Sequence, residues 1–491
     1  MNDITSPNPS AVDGGEKTDR GIKPHPTVLS AMLEILEAHR WEFKQARTYQ
    51  RMVVLAIGMM CALARHTVTQ GIQAIGGGER DWTAWYRLFQ GKRFKEEDLT
   101  QRLFEATLQD APQEEPYVTS VDATQIVRSS QKLPGSSWLP AVRTAIFRRG
   151  LHRAQRFVTG AWLPRIEHGF TRAIPLRFLS AFTAKAVPAS DPPRKEWEAG
   201  LQFVAWIRQG LDAAGRMAQR VVVLADGAYD KAELWRGLPD RVVLIVRTAK
   251  NRVLREMPGP YSGRGRRAKY GPKAPTPTEH LQARTGWTHT PVQVRGRTIM
   301  LRWKIRGCYL RECAAACPVF LLVIGGATWQ AGKRQPRRRR REPAFYLIGA
   351  VQRDGVWQLP FEPALILAWV WQRWEIEVTH RDLKAAFGVG QMQCWNRVSA
   401  ILSVQWMVWL YAVMMLAGYR TWGWFGGSAL PCAWWSGPRR WSFNTLWRTL
   451  RSELWVLDEL RPVSPPSPTS GLNLLTRLRL LCLSARAAAR A

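Results

Sequence analysis

The chain has 491 residues, room for two or three domains and at least one sizeable core. With 46% hydrophobic and 22% charged residues it falls outside the disordered class. Its 71 Lys and Arg against 38 Asp and Glu leave a net charge of +33, so the natural partner is a polyanion: nucleic acid first, an anionic membrane second.

In chain order, residues 1–27 are polar, lack the apolar run of a secretory signal, and read as a disordered tail on a cytoplasmic, nucleoid-associated protein. Residues 28–112 read as a helical, DNA-binding domain. There LSAMLEILEAHRWEFK and YQRMVVLAIGMMCALA carry helix-like apolar spacing, followed by ARHTVTQGIQAIG, a short polar turn and a second helix-like segment. That arrangement is compatible with a helix-turn-helix and places Arg65, His66 and Thr67 near the start of a helix entering a major groove. Residues 113–250 run β-β-β-α-β-α-β, with strands such as YVTSVDATQIV and RVVVLADGAYD, which suits a mixed sheet with flanking helices. Residues 251–360 read as a β-rich insertion with solvated basic loops; Arg264, Arg266 and Arg267 stand in one, and Arg337, Arg338, Arg339, Arg340 and Arg341 in another. Such runs hold DNA backbone without reading sequence. Helical patterning returns over residues 361–425, and residues 426–491 are Trp- and Pro-rich with a final helix-like segment.

Val398–Tyr419 is uncharged and long enough to span a bilayer. It stands alone in that respect and directly follows a charged helix, so a core helix, with no membrane partner, is the expectation. The 7 cysteines are odd in number and scattered. Cys308, Cys313 and Cys317 cluster without a nearby His or a paired CxxC knuckle, so ordinary thiols are expected rather than zinc ligands.

In so basic a chain, well-placed acids carry information. Asp122 lies on or at the end of the strand YVTSV, and Asp226 ends VVVLA. A carboxylate at a strand's C-terminal end is held rigidly where it can meet a ligand, and phosphoryl transfer on DNA uses hard cations held by one or two carboxylates. On the helix WQRWEIEVTHRDLK, Arg373 and Glu377 lie within about 40° of one another, and Lys384 returns to within about 20° of Glu377. Glu375, two residues from Glu377, faces away.

These residues resemble the signature of the insertion-sequence four superfamily of bacterial DDE transposases: Tyr, two residues, Arg, three residues, Glu, six residues, Lys. Arg373, Glu377 and Lys384 match it in type and spacing, Asp122 and Asp226 match the two earlier acids, and Tyr229 matches the aromatic three residues beyond the second. The Tyr position falls instead on Val370, between Trp369 and Trp371. The resemblance covers about residues 28–460. It implies an α/β, RNase H-like mixed sheet with flanking helices, an N-terminal helical domain and an inserted β-rich domain. It implies catalysis by Asp122, Asp226 and Glu377 through two Mg²⁺ (or Mn²⁺) ions, with Arg373 and Lys384 on phosphates. It also implies double-stranded DNA as partner (element ends and target), a homodimer in the DNA complex, and a base-stacking Trp in the insertion, for which Trp329 and Trp357 are candidates. Restoring the missing hydroxyl by Val370→Tyr is expected to improve end processing, unless Val370 packs inward. A related nuclease without strand transfer, or a transposase-derived DNA-binding protein, remains open at this point.

Overall fold

The computed structural model describes residues 27–63, 65–77, 81–141, 150–187, 193–261, 263, 265–331, 337–392, 394, 396–427 and 440–456. Helix α1 (Val28–Ala38) starts where the Thr27 hydroxyl accepts from Ser30 N at 3.0 Å, and its apolar spacing buries Val28, Leu29, Met32, Ile35 and Leu36 as one stripe. α2 (Ala46–Cys61) is followed by α3 (Val68–Ala74) and α4 (Thr83–Tyr86). α5 (Glu96–Leu108) opens with Glu96, Glu97 and Asp98, acids that complement the positive end of the helix dipole.

The sheet begins with β1 (Tyr117–Val127), β2 (Ser136–Pro140), β3 (Leu151–Trp162) and β4 (Ile174–Ser180). β3 pairs antiparallel with β1, and both β2 and β4 lie along the far edge of β3. After α6 (Glu196–Ala213) the chain enters β5 (Val221–Ala225), whose VVVLA is buried on both faces as a central parallel strand requires. α7 (Ala232–Gly237) leads to β6 (Val242–Arg247), and β1, β5 and β6 run parallel. The order β4-β3-β1-β5-β6, three antiparallel strands then two parallel to the first, is that of an RNase H-like fold. β2, a short flanking strand, is an addition to the three strands expected before α6.

The β-rich insertion is present, and it continues the same sheet. It comprises β7 (Leu254–Glu256), α8 (Pro277–Gln282), β8 (Thr288–Val294), β9 (Arg297–Arg311), β10 (Ala314–Ile324), the hairpin β11 (Ala327–Ala331) and β12 (Arg337–Arg341), β13 (Ala344–Gly349), and a small ribbon of β14 (Val351–Arg353) and β15 (Val356–Gln358). β13 pairs with β6, then β10, β9 and β7 follow, which makes an 11-stranded sheet. The arginine run expected as a solvated loop is therefore strand β12, its backbone bonded to β11.

The chain returns through α9 (Pro363–Gln372) and α10 (Glu375–Arg381), a π-turn at Asp382–Ala386, α11 (Arg397–Trp422) and α12 (Phe443–Val456). Among the described residues α11 is the one helix long and apolar enough to cross a membrane, and 89% of its apolar window is buried inside the protein. A helix apolar all round needs cover all round. α1, α5, α12 and β4 supply it here. Residues 28–112 thus share one hydrophobic cluster with α11 and α12 rather than folding around a core of their own.

Val370 sits in the second cluster, with Ile366, Leu367, Trp369 and Ile376, and is 6% exposed. The expected gain from a tyrosine there is thereby corrected, because a phenol would enter packed core. Val370→Tyr is expected to destabilise the protein by about 1–3 kcal/mol. Urea unfolding of the two proteins measures this, and an unchanged midpoint would show that the pocket around residue 370 can open.

Candidate active site

The parallel pairing of β1 and β5 runs from Tyr117↔Val221 to Val121↔Ala225. One step further, where β5 ends, come Asp122 and Asp226. Residues side by side on parallel strands about 4.8 Å apart point to one face of the sheet. Asp226 caps the one-turn helix Gly227–Tyr229, its Oδ1 accepting from Ala228 N at 2.9 Å. Asp122 Oδ1 accepts from Ala123 N at 2.9 Å. Backbone contacts thus orient both carboxylates. Tyr229 is buried with no hydrogen-bond partner for its hydroxyl, and the room for its ring comes from Gly200, where any Cβ would stand 2.7 Å from it.

α10 brings the third acid. Arg373 Nη2 donates to Glu377 Oε1 at 2.7 Å, so the shared face read from their spacing is present. Glu375 points elsewhere, as expected, and is paired with Arg295 at 2.6 Å. The π-turn interrupts the regular helix before Lys384. Even so, Lys384 Nζ donates to Thr124 Oγ1 at 3.0 Å, and Thr124 lies two residues from Asp122 on the same face of β1. Arg172 holds Asp382 inside that turn.

The electrostatics tie these groups together. Burial pushes the Asp122 carboxyl up to about 7, the negative charges of Asp226 and Glu377 push the same way, and Arg373 opposes them. His380 Nδ1 stands 3.9 Å from Asp122 Oδ2, and its Nε2 is 2.8 Å from the Thr159 hydroxyl. Burial, helped by the Lys384 charge, lowers the imidazole to about 3, so it is neutral and forms no ion pair with Asp122. Among the described residues no three His, Cys, Asp or Glu side chains close into a finished metal cage. The acids share one field while remaining open. Their oxygens are hard donors of the type that could hold a cation whose shell is completed by water and substrate oxygens.

The other sequence-derived candidates are dispersed. His66 is 6% exposed, lies 4.9 Å from the Trp447 ring and 5.9 Å from that of Phe387, and its backbone N donates to Gln391. Burial lowers it to about 4. It is packed inside the protein and withdrawn from any groove, which corrects its assignment as a DNA contact. Thr67 caps α3, accepting from Gln70 N, and Arg65 is exposed. Arg266 and Arg267 are exposed, while Arg264 lies outside the described residues. The side chains of Arg337, Arg338, Arg339 and Arg340 lie outside them too, as does that of Trp329. Arg341 sits over the Trp371 ring at 5.4 Å and donates to Gly325 O. Trp357 is half-buried on β15. Cys308, Cys313 and Cys317 are free thiols.

The sequence reading missed His380, Thr159 and Thr124. His380 was legible in principle, since three residues beyond Glu377 is one helical turn. Thr159 was not, because it reaches Asp122 only through the register of β3 on β1.

An RNase H-like sheet with one carboxylate midway along β1 and a second just past the end of the adjacent β5 is the arrangement of enzymes that transfer phosphoryl groups on nucleic acid. The sequence profile of the DDE superfamily endonucleases matches residues 40–306, more than half of the chain, and the chain belongs to that family. It carries the endonuclease domain of a transposase or nuclease, of a family that acts on DNA and typically uses divalent metal ions. No curated protein matches the chain.

A carboxyl raised by folding costs stability as pH rises from its unfolded value, 3.8, to its folded one, about 7, and the full cost applies above that. Asp122→Asn is therefore expected to stabilise the metal-free protein at pH 8 by roughly 2–4 kcal/mol and to have no such effect near pH 4. Thermal melts in chelator at both pH values test this, and equal shifts at the two would refute it.

Proposed function

We propose that this chain is a DDE transposase that cleaves DNA at the ends of an insertion sequence and joins the freed 3′ ends to target DNA. The observation that carries the reading is the adjacency of Asp122 and Asp226 at the end of β5, with Glu377 in the same electrostatic field. Membership of the insertion-sequence four superfamily rests on the Arg373, Glu377, Lys384 spacing.

In this reading Asp122, Asp226 and Glu377 hold two Mg²⁺ or Mn²⁺ ions. The Asp122 carboxyl, raised first by burial and then by the negative charges of Asp226 and Glu377, supports that assignment, since a cation beside it offsets the penalty on its anion. Bound there, the ions supply activation of the attacking hydroxyl and neutralisation of the leaving oxygen. The chain's own residues orient the site. Arg373 fixes the Glu377 carboxylate, and Lys384, anchored on Thr124, sets positive charge beside the scissile phosphate. Neutral His380 fills the space behind Asp122 without competing for its charge. The exposed Arg266 and Arg267, with the run of arginines 337–341 in the sequence, supply positive charge for contacts to the backbone of double-stranded DNA. Two copies act together on the paired ends, at the nucleoid.

Asp122→Asn, Asp226→Asn and Glu377→Gln are each expected to lower cleavage of end-containing DNA by at least about 10³-fold and to leave DNA affinity at fixed salt unchanged. Near-normal cleavage by Glu377→Gln would refute the α10 assignment. A strand-transfer assay on plasmid separates the two activities of the family: nicked products without joined ones would make this chain a nuclease.

A further inference from the structure

Four residues beyond Asp226, at the end of the same one-turn helix, Asp230 is completely buried. Its Oδ1 accepts from Trp235 Nε1 at 3.2 Å and Arg311 Nε at 2.8 Å, and its Oδ2 from Thr248 Oγ1 at 2.7 Å and Arg252 Nη2 at 2.6 Å. Arg311 Nη2 also donates to the Asp230 carbonyl at 2.8 Å. The donors come from α7, from the segment after β6, and from β9 of the insertion. A buried carboxylate with this many partners has its position over-determined, and removing one charge of such a set strands the others.

We propose that Asp230 is a positioning residue for the metal-holding carboxylate of Asp226, and that Arg311 makes this positioning depend on the docking of the insertion. This deepens the proposed function and rests on it. The physical route is short. Asp226 is the cap of the turn and Asp230 is its far end; the backbone between them is Gly227–Tyr229, which carries the Ala228 N–H bonded to Asp226. Gly227 gives the turn no side-chain anchor of its own, so the turn is fixed by the ring of Tyr229 on one side and by Asp230 on the other. Strand β9 holds Arg311 at the end of β8–β9–β10, the sheet extension that bears the insertion. Arg311 is the side chain by which that extension bonds Asp230 directly. Groups that orient metal ligands without touching the metal govern affinity by about 10- to 100-fold.

The test uses the full-length protein and Mn²⁺ alone, with bound metal read by electron paramagnetic resonance. Asp230→Asn and Arg311→Gln are expected to weaken Mn²⁺ binding by about 10- to 100-fold, to leave DNA affinity unchanged, and to recover cleavage as Mn²⁺ is raised. A merely structural role does not produce that recovery. Unchanged Mn²⁺ affinity in either folded variant overturns the proposal. If both variants fail to melt cooperatively, Arg252→Gln decides in their place: its side chain is 28% exposed and it removes one cation while keeping Arg311. Weakened Mn²⁺ binding there supports the proposal and unchanged binding overturns it. Asp226→Asn runs alongside. If it too leaves Mn²⁺ binding intact, the site reading itself fails, and the positioning role fails with it.

Discussion

Two carboxylates forced into adjacency by strand register are the constraint around which this molecule is built. The pairing of Val121 with Ala225 leaves Asp122 and Asp226 no freedom to separate. The cost appears at Asp122, whose anion is disfavoured by burial and by both neighbouring acids. Water would screen such a pair on a flexible loop. Here β5 is buried on both faces, so the strands cannot yield. The rigidity that makes the arrangement expensive also keeps the two carboxylates side by side.

The rest of the fold serves to close a helix down on this strand end. α10 is fastened from both directions. Arg373 grips Glu377 on the side of the acids, while Arg295 grips Glu375 on the opposite side, from the β8–β9 turn of the insertion. The π-turn beyond it is fixed through Arg172 and through Lys384 on Thr124. The insertion is consequently no appendage. It shares hydrogen bonds with the core through β13 and β6, and it reaches both the Glu377 helix and the Asp226 turn with arginines.

Much of this was legible in the residues. Asp122 and Asp226 interrupt or end β-branched runs, and the four-residue spacing of Arg373 and Glu377 places that pair on one helix face, whereas Lys384 lies beyond a π-turn and is held by Thr124. What could not be read depended on distant partners. His66 has the local look of a groove contact, yet Phe387 and Trp447, hundreds of residues away, enclose it. Val370 is spaced like a residue bordering the catalytic face, yet the two-sided burial of α9 decides its direction. Five consecutive arginines suggest solvent, yet β11 offers their backbone a partner. Asp230 carries no local signal, because its arginines lie 22 and 81 residues further on.

The enclosure of α11 by helices from the start of the chain also shapes how the protein can be made. Glu453 accepts hydrogen bonds from the backbone of Val28 and Leu29, a closure spanning 424 residues in the latter case. During synthesis the first helices emerge with their apolar stripes complete and their partner still unwritten. They wait for nearly the whole chain before α11 and α12 arrive. Contacts of such high sequence separation fold slowly and leave apolar surface uncovered for as long as they are pending. A ribosome that stops early therefore releases a chain whose α1 lacks the helices that cover its apolar stripe.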